Sequence, residues 1–157
     1  MENYADEIYK IKPDEFGWRT LSNGNHVEIG NWVYIGNWVY IGNGVSIGDY
    51  ASIGNRVSIG DEVSIGDYAS IGDGASIGDG ALIQSQYEHL YVQDFGSRRT
   101  PLSFWYHKDG SLHVSTGCFD GTPEQFLERV TETHGDNEHA IHYRKIVAFA
   151  LDYLKKD

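Results

Sequence analysis

The chain has 157 residues and a formal charge of −11 at neutral pH, with 12 Lys and Arg against 23 Asp and Glu. So acidic a surface argues against an extended nucleic acid as the main partner, because phosphate backbones are bound by basic faces that release counterions, yet it leaves room for a small basic pocket. Nineteen glycines, three prolines and a single cysteine describe a folded chain of regular tight turns with no intramolecular disulfide, for which the cytosol is the default compartment. No stretch approaches the roughly 18 apolar residues of a membrane span, and the N-terminus lacks a basic region followed by an apolar run, so no membrane partner is expected.

Residues 1–22, including YKIKPDEFGWRTL, read as an N-terminal cap. Residues 23–86 are a repeat. Isoleucine stands at 29, 35, 41, 47, 53, 59, 65, 71, 77 and 83, a spacing of six without a skip, and all but Ile83 are followed by glycine. Two residues before each isoleucine is a valine or alanine, from Val27 to Ala81, so each unit presents two inward side chains at the strand period and then turns. The Gly-Asn or Gly-Asp pair after the isoleucine is expected to supply the positive φ of the corner.

These ten units resemble the hexapeptide-repeat family. The resemblance implies a mainly β fold: a left-handed parallel β-helix of about three to four coils, three units to the coil, with residues 18 apart stacked. Ile29, Ile47, Ile65 and Ile83 would form one inner ladder, Ile35, Ile53 and Ile71 a second, and Ile41, Ile59 and Ile77 a third. The resemblance also implies a homotrimer with its helix axes side by side.

In this register the doubled unit NWVYIGNWVYIGN at 31–43 turns Trp32, Tyr34, Trp38 and Tyr40 outward. Trp32 heads a column with Tyr50 and Tyr68, read first as the trimer contact and second as a platform for a planar ligand. Trp38 heads the column of Arg56 and Gly74 and is expected to cover the N-terminal cap. Six mid-strand serines, from Ser46 to Ser76, read as a solvated face. The stacked aspartates, Asp49 with Asp67 and Asp61 with Asp79, read as turn chemistry, since each column supplies too few oxygens for calcium.

Many members of that family are acyltransferases that use coenzyme A, and some are metal-dependent carbonic anhydrases. Both activities use histidines on the coils. Here the units run without an inserted loop and the only nearby histidine is His26, in the first turn, so catalysis by the coils is not expected, and neither is a cofactor or metal.

Residues 87–157 change character. Two alternating runs around Lys108-Asp109-Gly110-Ser111 predict a β-hairpin. Thr122-Pro123-Glu124-Gln125 is a capping box opening a helix through about Glu132, with Phe126 and Val130 on one face. A second helix, starting after His134-Gly135-Asp136-Asn137 and running to about Lys155, carries the stripe Tyr143, Val147, Ala150 and Leu154. This α+β module of about 70 residues is marginal alone, so docking on its own or a neighbouring solenoid is expected. Gly96-Ser97-Arg98, Gly117-Cys118-Phe119, Gly121-Thr122, Phe126 and His134-Gly135 with Asn137 resemble a pattern in small hexapeptide-repeat proteins of phages and prophages. That resemblance implies a phage or bacterial origin and brings no active site with it.

The basic spot of the chain is FGSRRT. A glycine-flanked backbone, the Ser97 hydroxyl and the adjacent Arg98 and Arg99 are what a phosphate or carboxylate site requires, because guanidinium binds such oxyanions bidentately. Surface pairing of the two arginines with carboxylates is the alternative. Cys118 reads either as a buried small residue or as a nucleophile with His107, His113 or His134 as its base. The ligand-binding candidates are Ser97, Arg98, Arg99, Tyr106, His107 and His134, with Tyr106 as a stacking surface. The resulting expectation is a non-catalytic homotrimer that captures a phosphate-bearing small molecule, such as a nucleotide immune signal, in the cytoplasm of a bacterial host. An acyltransferase-like enzyme and a structural or adaptor trimer are the alternatives.

Overall fold

In the computed structural model, which describes residues 7–85, 88–117 and 119–155, the valines or alanines and isoleucines of every repeat point the same way and are buried. Strands of two to four residues result: β2 (His26–Ile29), β3 (Tyr34–Ile35), β4 (Tyr40–Ile41), β5 (Val45–Ile47), β6 (Ser52–Ile53), β7 (Ser58–Ile59), β8 (Ser64–Ile65), β9 (Ser70–Ile71), β10 (Ser76–Ile77) and β11 (Ala81–Ile83). They stack in parallel as β2-β5-β8-β11, β3-β6-β9 and β4-β7-β10. The fold is a β-solenoid of about three turns with the expected ladders: Ile29 pairs with Ile47, Ile47 with Ile65, and Ile65 with Ile83. A short strand can persist here because every coil is hydrogen-bonded to the next, as from Gly30 N to Ile47 O at 2.8 Å and from Tyr34 N to Ala51 O at 3.0 Å.

The corners differ from expectation. The left-handed residue is the one after the Gly-Asx pair: Trp32, Trp38, Tyr50, Arg56, Glu62 and Tyr68 lie at φ between 58° and 62°, and Gly44, Gly74 and Gly80 take the remaining corners at φ 73–76°. For an L residue this conformation costs about 1–2 kcal/mol. The glycine before the Asx serves close approach instead, since a Cβ on Gly30 would stand 2.7 Å from the Asp49 amide nitrogen of the next coil. The Asx side chains have a further role. Asp49 Oδ1 accepts from Asn31 N at 2.8 Å, Asp67 Oδ1 from Asp49 N at 2.7 Å, and Asp79 Oδ1 from Asp61 N at 2.8 Å, so each carboxylate ties its coil to the one before.

At the N-terminal end, β1 (Trp18–Thr20) pairs antiparallel with β2, and Ile8 and Leu21 join the solenoid core. The Tyr9 hydroxyl donates to Gly30 O at 3.0 Å and accepts from Val33 N at 2.9 Å, fixing the cap on the first coil. Trp38 is 52% exposed and lies beside Arg56, so the cap is built by Ile8, Tyr9 and Leu21 and not by Trp38. Residues 1–6 of the expected cap lie outside the described residues.

The C-terminal module is larger in β-structure than a hairpin. β12 (Leu90–Phe95), β13 (Thr100–His107), β14 (Leu112–Thr116) and β15 (Phe119–Gly121) form an antiparallel sheet, and β13 pairs with β11, placing Tyr106 opposite Leu82. The module therefore docks on its own solenoid. Strand alternation along β13 gives each face of the sheet a different task. Trp105 enters the solenoid core, whereas Leu102, Phe104 and Tyr106 join Val114 under the helices. Helix α1 (Pro123–His134) carries the predicted capping box, Thr122 accepting from Gln125 N and the Gln125 side chain accepting from Thr122 N. Gly135 ends it at φ 61°, and Asn137 caps helix α2 (Glu138–Tyr153) by accepting from Ala140 N. Among the described residues no helix is long and apolar enough to cross a membrane.

Candidate functional site

The turn joining β12 to β13 carries Gly96-Ser97-Arg98-Arg99 and lies over helices α1 and α2. Gly96, at φ 82°, lets the turn press against the Tyr143 ring, where any Cβ would collide with the phenol. The Ser97 amide donates to the Tyr143 hydroxyl oxygen at 3.1 Å, and the Ser97 hydroxyl lies 3.3 Å from His134 Nε2 at the end of α1. The His134 ring in turn stacks on Tyr143, with centroids 5.9 Å apart.

Between this turn, the end of β14 and α1 is a cleft of about 200 Å³. Its polar wall holds Ser97, Arg98, Arg129 and His134, and its apolar wall Phe119, Phe126 and Tyr143. Among the described residues no carboxylate lines it. Neither Arg98 nor Arg129 is in an ion pair among the described residues, and the Arg129 guanidinium lies over the Phe119 ring at 5.7 Å. Two guanidiniums in one cleft, without a counter-charge, favour an anion, because each added oxyanion hydrogen bond is charge-assisted and removes mutual repulsion.

The predicted residues divide accordingly. Ser97, Arg98 and His134, 37 positions apart at the extremes, come together. Arg99 turns to Asp94, 3.4 Å away, in an exposed ion pair outside the cleft. Tyr106 lies in the module core, its hydroxyl donating to Leu154 O, and offers no ring face to the cleft. His107 sits at the solenoid junction, stacked on His113 at 5.4 Å with Nδ1 3.3 Å from Asp109. Cys118 lies outside the described residues. Arg129 was the residue missed. Its signal was available in principle, because it follows Phe126 by three and so borders the face of α1 that the apolar stripe buries.

No family model, no curated protein and no solved structure matches the chain. The chemistry of the site rests on its residues.

Proposed function

We propose that the chain is a non-catalytic binding protein that captures a phosphate-bearing small molecule in the Arg98–Arg129 cleft. The observation that carries this reading is a pair of guanidiniums that, among the described residues, have no ion-pair partner and share a cleft lined by no carboxylate, in a chain of net charge −11. The phosphate would lie between Arg98 and Arg129 with the Ser97 hydroxyl and His134 beside it, and the group it carries would lie against Phe119 and Phe126. A volume of about 200 Å³ is below the roughly 300 Å³ at which pockets for whole small molecules begin. That supports a ligand completed by a second protomer, in keeping with a homotrimer of the hexapeptide-repeat, left-handed type. The exposed column of Trp32, Tyr50 and Tyr68, in which Tyr50 and Tyr68 stack at 5.1 Å, is the face such an assembly would share. Sequestration of a nucleotide immune signal by a phage protein is the biological role that fits this chemistry.

An acyl- or phosphoryl-transfer reading has one contact in its favour, Ser97 Oγ beside His134 Nε2. Calorimetry with mononucleotides and cyclic dinucleotides, followed by analysis of the recovered ligand, separates the two. Capture predicts stoichiometric binding with the ligand recovered intact. Arg98→Ala and Arg129→Ala are each expected to weaken binding at least about tenfold, the loss of one charge-assisted contact. Wild-type affinity in the double variant would remove the cleft from consideration, turnover would favour the enzyme, and no binding at all would favour an adaptor.

A further inference from the structure

A second cleft, of about 470 Å³, opens on the corner column of Trp38, Arg56 and Gly74. It exists because the third residue of that column is a glycine, which leaves the corner bare, and because Gln93 of β12 and Pro101 of β13 close the far side. Solenoid and module thus build it jointly, on a different corner from the Trp32–Tyr50–Tyr68 column.

Its chemistry is unlike that of the first cleft. Arg56 is the single Lys or Arg of the whole repeat segment 23–86, and among the described residues its guanidinium has no ion-pair or hydrogen-bond partner. Trp38, half-exposed, stands 18 residues before Arg56 in the same corner column and lines the same cleft. Asn37 and Asn55 line the cleft with side-chain amides, and Gln93 adds a third. Asn55 Oδ1 accepts from Asn37 N, and Asp73 Oδ1 from Asn55 N, both at 2.8 Å, so these side chains are held in place while the Asn55 amide NH₂ and the second Asp73 oxygen remain for a ligand.

We propose that this cleft is a binding site for a carboxylated sugar, a pyranose acid. The indole face suits the C–H face of a pyranose ring, amides that both donate and accept suit vicinal hydroxyls, and a lone guanidinium takes one carboxylate bidentately. The Asp73 carboxylate favours a sugar acid over a phosphate here: it accepts from sugar hydroxyls and, at equal distance, repels a monoanionic carboxylate about half as strongly as a phosphate dianion. The site is independent of the Arg98 cleft.

The test is titration of the full chain with sodium glucuronate, read by Trp fluorescence and calorimetry, with glucose and inorganic phosphate as comparison ligands. Saturable glucuronate binding is expected, at least about tenfold weaker in Arg56→Gln and in Trp38→Ala, at least about tenfold weaker for glucose, and undisturbed by phosphate. The Arg98→Ala, Arg129→Ala double variant should bind glucuronate as wild type does, so failure here is distinguishable from failure of the phosphate cleft. Absence of saturable binding by wild type, binding that survives both Arg56→Gln and Trp38→Ala, equal binding of glucose, or displacement by phosphate would each overturn the assignment.

Discussion

Trp105→Ala will destabilise the fold by about 3–5 kcal/mol, the range for removing a large aromatic from a packed core. Trp105 is fully buried at the open end of the solenoid, where the last coil has no further coil to stack on. It substitutes for that missing coil. Its indole Nε1 donates to Ser115 Oγ at 3.0 Å and its ring stacks on His113 at 4.7 Å, so the plug is fixed in orientation as well as in volume. Truncation would leave a cavity between two rigid layers, the coils and the antiparallel sheet, and neither can collapse without breaking its ladder. Urea unfolding of the two proteins measures the difference. Trp105→Phe separates the contributions, because it keeps most of the apolar volume and loses only the N–H bond, for an expected cost of about 1–2 kcal/mol. A Trp105→Ala variant within about 1 kcal/mol of wild type would show that the module does not cap the solenoid core.

The second large effect is acid sensitivity centred on His89. This residue is 8% exposed, and its Nε2 has no hydrogen-bond partner among the described residues. Burial holds its pKa down from the ordinary 6.5 to about 4, against a backbone hydrogen bond with Ser70 that works in the opposite direction. The imidazole is therefore neutral in the folded chain at neutral pH. Between about pH 6.5 and about pH 4 the unfolded chain binds a proton that the folded chain does not, so stability present above 6.5 is lost as pH falls through that window. A depression of this size corresponds to roughly 3 kcal/mol. Urea unfolding of wild type and His89→Gln at pH 7 and pH 4 isolates it, since the carboxylates titrate alike in both and glutamine keeps a donor without titrating. Wild type should lose roughly 3 kcal/mol more than the variant, and parallel losses would show that His89 is not the sensor.

The repeat region was legible almost to the residue because one constraint is used ten times. An isoleucine every sixth position and a Val or Ala two before it leave a single arrangement in which all are buried, and the ladders follow from adding 18. Which corner residue becomes left-handed was not legible, because Gly-Asx satisfies the general rule for turns equally well. The glycine is needed instead for the Asp or Asn of the next coil, a contact between residues 19 apart in sequence. The sequence predicts only a hairpin in the module because residues 90–95 do not alternate cleanly, and this segment becomes strand β12 by pairing with β13 over Leu90–Val92.

The site was half visible. Ser97 and Arg98 announce themselves as a basic, glycine-flanked turn, and His134 as a helix terminator, but nothing local says that they meet. The Tyr143 hydroxyl brings them together by holding the Ser97 amide, and α1 adds Arg129 from across the cleft. Strand parity sent Tyr106 to the helix side of the sheet and Trp105 to the solenoid side, and a helix-side position at that register is core, not surface.

The sequence by itself determined the solenoid, its inner ladders, the capped first helix and the place where the repeat stops, since each depends on spacing within a few residues or on strict periodicity. Only the tertiary structure decided that the module caps its own solenoid with Trp105, that Arg98 and Arg129 face one cleft lined by no carboxylate among the described residues, and that Arg56, without an ion-pair partner among them, shares a cleft with Trp38. Those juxtapositions depend on how sheet, helices and coils dock, and docking is fixed by shape and burial across the whole chain, which no local pattern records.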